Sequence, residues 1–265
     1  MTTHKQHSIL RRITAPHRRY GLRPSPAHHP MLRTCMSAGP GVAQVPPPPS
    51  VDLSPLFAGI RDQAGEGACT GMSTAAVREI LWGSAHGKML DTRLAPAYLY
   101  ARTRIAEGSF PRDAGACMAD EFAVLQGFGV CPEIDMPYDA DPTERPSNVA
   151  DAAAPAFRID QPATVDMLNT DAVKQVLAAG MPIGIAIPCY QSFEDCGSDG
   201  VLTIPDTDRE ALLGGHGLCI CGYDTARKAW RGINSWGTGF GDHGYFWMPE
   251  AYGSLIWEAW TARAQ

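Results

Sequence analysis

The chain has 265 residues, 45% hydrophobic and 19% charged, with a formal net charge of −6. That length allows one large domain or two lobes sharing a cleft, and the acidic balance argues against a nucleic-acid partner. No run of eighteen apolar residues occurs, so no membrane-spanning helix and no membrane partner is expected. Eight cysteines are too sparse for a small disulfide scaffold.

The net charge hides an asymmetry. Residues 1–50 carry seven Lys or Arg and no Asp or Glu, leaving 15 basic and 28 acidic residues, a net of −13, for the remainder. A basic segment on an acidic body can lie against it through Coulomb attraction, or stay a solvated, disordered leader. The longest apolar stretch of this leader is Ile9-Leu10, far short of a secretory h-region. Its prolines and the His28-His29-Pro30 stretch do not suit an amphipathic transit helix, and the paired histidines read as leader composition. Four consecutive prolines, Pro46 to Pro49, form a stiff extended spacer without backbone donors. The expected division is therefore a leader over 1–46 and a body over 47–265.

In the body, the glycine-rich Asp62–Gly71 leads into a helical pattern over Met72–Ser84 that should begin near Cys69 or Thr70. Further helices are predicted at Leu94–Ala106, with Pro96 in the first turn, at Asp120–Gln126, and at Asp171–Ala179, stopped by Gly180 and Pro182. From Met181 the pattern changes to strands: Ile183, Ile185 and Ile187 alternate with small residues, and Gly217–Tyr223, Ala229–Asn234, Gly244–Met248 and Leu255–Thr261 follow. Helices first and a sheet second predict an α+β chain of two lobes.

Four positions could carry chemistry. Cys69 sits at a predicted helix start, where unpaired N–H groups and the helix dipole favour a thiolate, although a cysteine so placed is more often an inert core residue. Gln63 lies six residues earlier, and a side-chain amide beside a nucleophile can donate to a developing oxyanion. His216 follows Gly214-Gly215 at a strand start and could exchange a proton with a thiol. Asn234 ends the next strand, where its carbonyl could fix the tautomer of a histidine, with Trp236 covering that bond.

In this order, Asp62–Gly71 (DQAGEGACTG), Gly214–Tyr223 (GGHGLCICGY) and Asn234–Phe246 (NSWGTGFGDHGYF) resemble the papain family of cysteine peptidases. The leader's Tyr20–Pro24 (YGLRP) resembles a motif of bacterial members. The resemblance implies a helical left lobe, a β-barrel-like right lobe and an active site in the cleft between them. It implies peptide-bond hydrolysis through a thioester, with Cys69 as nucleophile, His216 as its proton partner, Asn234 as the orienting amide and Gln63 in the oxyanion hole. Gly67, Thr70, Gly115, Ala119, Asp120, Gly215 and Trp236 would touch substrate.

The sequence departs from the family pattern in places. Thr70 stands where Trp is usual, and Glu66 replaces the cysteine three residues before the nucleophile, so Cys117 has lost the partner the family would give it. Ala119-Asp120 stands for the usual Gly-Gly pair. Cys189 and Cys196 could close a short loop, and Cys219 and Cys221 should share one strand face. No Cys-x-x-Cys pair occurs, so no zinc site is expected, and no cofactor is implied. The missing disulfide and signal peptide favour a reducing cytoplasm, with non-standard export left open. The expected protein is an endopeptidase made as a zymogen whose leader blocks the cleft as an intramolecular inhibitor. Other Cys-dependent acyl transfer, as in a deamidase or transpeptidase, shares the same residues, and a non-catalytic binding module on this scaffold is the third reading.

Overall fold

The Gly-rich loop feeds directly into α1, Cys69–His86, the helix around which the molecule is arranged. The structure is a computed structural model describing residues 19–34 and 46–265. Buried residues occur all around α1, as they do in a helix at the centre of a core, and Gly87 ends it in the left-handed conformation. Helix α2, Pro96–Ala106, begins on its proline, and α3 spans Met118–Gly127. The backbones of α1 and α2 approach closely at Gly71, where a Cβ would lie 2.6 Å from the Pro96 carbonyl oxygen. A short helix α4, Asn148–Ala153, and the amphipathic α5, Thr170–Ala178, complete the larger helical elements. The Ser147 and Asn169 side chains cap these two by accepting from Ala150 N and Ala172 N.

Seven strands form one antiparallel sheet: β1 Ser50–Asp52, β2 Ile159–Thr164, β3 Ile183–Cys189, β4 Gly214–Asp224, β5 Ala229–Ile233, β6 Tyr245–Pro249 and β7 Glu258–Ala264. The order is β2-β7-β3-β4-β5-β6, with β1 added to β4. The sheet is open, with β2 and β6 at its ends. Alternation along β4 divides two cores. Cys219 and Cys221 face the helical core, as their spacing predicts, while Leu218 and Ile220 join Ile183, Ile185, Trp230 and Phe246 in the second.

The structure corrects several sequence-level expectations. The last strand starts at Glu258, not Leu255, because Glu250–Leu255 forms a 3-10 turn. Strand β2 was not predicted; it is an end strand with a bulge between Asp160 and Ala163 that accommodates Pro162. The proline run is anchored to the body at its end: the Pro48 carbonyl accepts from Tyr223 Oη at 2.6 Å and that of Pro49 from Thr225 N at 2.9 Å. No two of the described cysteines are bonded, so Cys189 and Cys196 do not bridge. Among the described residues no helix is long and apolar enough to cross a membrane.

Glu79 on α1 anchors the loop that leads into this helix. Its buried carboxylate accepts from Arg61 Nη2 at 2.5 Å and Nη1 at 3.2 Å, and from the Leu94 backbone N–H at 2.7 Å. The pair therefore ties the loop before Gln63 to the start of α2. Removing one member of such a buried pair strands the other, so Glu79→Ala should destabilise the protein by about 3–5 kcal/mol, read as a lower denaturant midpoint.

Candidate active site

Cys69 is the first residue of α1 and is completely buried. Its neighbour across the lobe boundary is Gly217 on β4, where a Cβ would stand 3.1 Å from the Cys69 carbonyl oxygen. A side chain here would be tight, and the helix start would have to give by a few tenths of an ångström to admit it. Burial pushes the thiol up to about 11, while hydrogen bonds from the backbone of Gly217, Gly21 and Thr70 act in the opposite direction. The sequence-level expectation of a thiolate at a helix N-terminus is thus opposed by the loss of solvent. The Thr70 hydroxyl donates to Glu121 at 2.9 Å. Glu121 is also fully buried, and desolvation pushes its carboxyl up to about 8.

One residue before Gly217, His216 presents its ring to a layer of aromatic side chains. Its Nε2 lies 2.8 Å from Asn234 Oδ1. Trp236 stacks on the imidazole with centroids 4.6 Å apart, and Phe193 meets it edge-on at 5.7 Å. The histidine–amide contact is therefore sealed in an apolar shell where a hydrogen bond is strong. Gln63 is buried as well. Its Oε1 accepts from Ser235 Oγ at 2.6 Å, which orients its amide so that Nε2 donates to the carbonyls of Glu66 at 2.8 Å and Arg19 at 3.2 Å. The Asn-Ser-Trp segment thus positions the residues on both sides of the cleft, Asn234 through the histidine and Ser235 through Gln63.

The leader threads this site. Leu22 N donates to the Gly215 carbonyl at 3.1 Å, Arg23 N to that of Ala116 at 2.9 Å, and Ala116 N to that of Gly21 at 2.9 Å, so the segment is gripped by both walls. The fit requires glycine on each side: a Cβ at Gly21 would lie 1.8 Å from the Gly67 carbonyl oxygen, and one at Gly115 would lie 1.8 Å from that of Gly21. The Tyr20 ring stands edge-on to His216 and Trp236 at 6.4 and 6.1 Å, and its hydroxyl bonds to Glu194.

Gly67, Gly115, Gly215 and Trp236 therefore meet the occupant of the cleft, whereas Thr70 faces Glu121. The backbone pairing on the helical wall is made by Ala116 rather than by Ala119 or Asp120. Ala119 N donates to Ser25 Oγ at 3.2 Å, and Asp120 binds His29 and Cys117.

Sequence reasoning missed the acidic contacts of the leader. Arg19 pairs with Asp113 at 2.5 Å, Arg23 with Glu107, His29 Nε2 with Asp120 at 2.9 Å, and Ser25 Oγ donates to Glu258 at 2.8 Å. The charge asymmetry was the one signal of them in the sequence. Glu107, Cys117 and Asp120 bring one donor atom each within 4.8 Å of one another, the set that could gather around a cation. Here the groups beside them are the leader's Arg23 guanidinium and His29 imidazole.

Comparison with known proteins agrees with this geometry. The profile of the papain family cysteine proteases matches residues 48–255. Xylellain, a cysteine protease from Xylella fastidiosa, superposes with a TM-score of 0.81 at 29% identity, covering 93% of this chain and 96% of that one. A digestive procathepsin L 3 of Tenebrio molitor shares the fold, with a TM-score of 0.68 at 19% identity over 92% of this chain and 77% of that one. A peptidase C1-like protein of Acanthamoeba polyphaga mimivirus is 28% identical over 204 residues, 72% of this chain. A thiol protease of Hemerocallis is 28% identical over 193 residues, also 72% of this chain. The alignments span 64% and 50% of those two relatives. The α+β architecture, the cleft between helices and sheet, and this match over most of the chain together place the protein in the papain family of cysteine peptidases.

Proposed function

We propose that the protein is an endopeptidase held as a zymogen, with residues 1–46 as the inhibitory leader. One observation carries the reading: the Arg19 carbonyl occupies the donor position of Gln63 while Gly21 lies against the Cys69 thiol, where a substrate carbonyl would have to sit. The cleft is threaded from Glu194 on one side to Glu107 and Asp120 on the other, so it holds the middle of a chain rather than its end. That favours internal cleavage.

In the open cleft, the Cys69 sulfur attacks the substrate carbonyl carbon as its proton passes to the imidazole of His216. The N–H groups of the Gln63 side chain and the Cys69 backbone stabilise the oxyanion. The imidazolium then protonates the leaving amine as the C–N bond breaks, leaving a thioester. Water, deprotonated by the same imidazole, attacks the thioester and releases the acid and the thiol. Asn234 holds Nε2, so Nδ1 is the ring nitrogen that serves the sulfur. Trp236 keeps water from the amide contact.

His216→Ala should lower kcat by about 10²–10⁴ on a fluorogenic peptide, the range for loss of a positioned general acid–base. Asn234→Ala should lower kcat less and leave KM nearly unchanged. Two product peptides whose masses sum to the substrate plus one water mark peptide-bond hydrolysis, whereas an uncut peptide that has exchanged ammonia for water marks deamidation and a newly joined peptide marks transpeptidation.

Removal of residues 1–46 should raise peptidase activity, and equal activity of the full and trimmed chains would overturn the zymogen reading. The pH dependence has a defined sign. Burial keeps the Cys69 thiol protonated in the intact chain, so its alkylation rate should climb with pH toward about 11. In the trimmed chain solvent returns, and the rate should level off at lower pH and be higher at pH 7.

Gly21→Val tests the plug within the full chain. Its side chain cannot fit against the Gly67 carbonyl, so the segment must leave the cleft, and Cys69 should be alkylated at least about tenfold faster, since thiol reactivity follows access and thiolate fraction.

A further inference from the structure

We propose that Glu107 and Asp120 form a subsite of the cleft that selects a cationic side chain, preferably arginine, on the peptide substrate. The proposal rests on the peptidase reading above and specifies its substrate class. Five leader side chains reach five different carboxylates of the body: Arg19 on Asp113, Tyr20 on Glu194, Arg23 on Glu107, Ser25 on Glu258 and His29 on Asp120. Glu107 and Asp120 stand out because they lie together and each faces a cationic or ionisable leader group. Their donor atoms fall within 4.8 Å of each other, and the Glu107 side chain is only 10% exposed. Two carboxylates this close repel each other, and walls of low dielectric sharpen the repulsion.

Their place in the cleft links them to the peptide backbone. Arg23 donates its N–H to Ala116, and the preceding residue bonds Gly215, so its guanidinium leaves the chain where both walls grip it. When the leader departs, Arg23 and His29 depart with it. Glu107 then keeps the Cys117 N–H at 3.3 Å, and Asp120 keeps the Cys117 thiol at 2.8 Å. Neither contact supplies a positive charge. A substrate side chain projecting from the same gripped backbone meets the same two carboxylates. A guanidinium, with several donors in a fixed fork, can bridge both, whereas an ammonium is a single point charge. The net charge of −13 on the rest of the chain draws basic peptides toward the cleft.

The test uses the full chain cut in place at a protease site inserted just before Pro46, with both pieces present. One arginine is scanned through the positions on either side of the cleaved bond of a neutral peptide, and each peptide is paired with its citrulline twin. At one position the arginine peptide should be cleaved with kcat/KM at least about tenfold above its twin, the size of one charge-assisted hydrogen bond. In Glu107→Gln/Asp120→Asn that ratio should fall to about one. The ratio is insensitive to leader affinity and to partial unfolding. Glu107→Gln alone, which keeps the Cys117 bond, should lower the ratio should the double variant not fold. Equal cleavage of every pair by the wild-type protein, or a ratio that survives the substitutions, would mean that these carboxylates serve only to hold the leader and would overturn the proposal. Binding of the same peptide pairs to the cut chain carrying Cys69→Ser, followed by fluorescence anisotropy, judges the subsite without turnover. Tighter binding of the arginine peptide supports it and equal binding overturns it. Failure of the peptidase reading itself shows separately, as absent turnover with Cys69 inert to a peptidyl epoxide.

Discussion

The contact between the first turn of α1 and the backbone of β4 at Gly217 sets the geometry of the whole site. It brings a sulfur from the helical lobe beside the strand that carries the imidazole, with little room for a side chain at Gly217. The remaining supports act on its two sides. Glu79 and Arg61 anchor the loop ahead of the helix, and the Asn234–Trp236 segment anchors the histidine and Gln63. The lobes meet through buried hydrogen bonds, Ser235 Oγ to Gln63 Oε1 and Ser73 Oγ to the Leu218 carbonyl. Such contacts stabilise little on balance but cost a great deal when one partner is missing, which makes the arrangement geometrically unforgiving.

The leader exploits the same geometry. Its backbone takes the positions between Ala116 and Gly215 that an extended peptide requires, and Gly21 permits the approach to Gly67. Backbone pairing is indifferent to sequence, so the register of the segment is set by its side chains: the Tyr20 ring among His216, Trp236 and Glu194, and the basic groups on the acidic walls. Burial of the sulfur favours its neutral form, and the backbone of Gly21 acts against that shift together with Gly217 and Thr70.

Much of the fold was legible in the chain. The helical patterns of α1, α2, α3 and α5 and the alternating strands β3 to β6 follow from local periodicity, which burial on one face or all around imposes on sequence. The misses have local causes. Strand β2 carries Asp160, Gln161 and Pro162, a composition that a central strand would not tolerate but an end strand with a bulge does. Leu255 and Ile256 are apolar and adjacent to a true strand, yet a 3-10 turn claims the first of them. Among the site residues, the spacing of Gln63 and Cys69 and the Asn-Ser-Trp-Gly run were readable because each belongs to one short segment.

The sequence by itself determined the residue types and their local frames: a cysteine at a helix start, a histidine behind two glycines, an amide at a strand end, and a basic leader on an acidic body. Only the tertiary structure decided which of these meet. Arg23 and Glu107 are 84 residues apart, and His29 and Asp120 are 91 apart. Net charge fixes the sign of such an attraction but not its address, because a Coulomb field is long-ranged and unspecific until packing brings particular groups within hydrogen-bond distance.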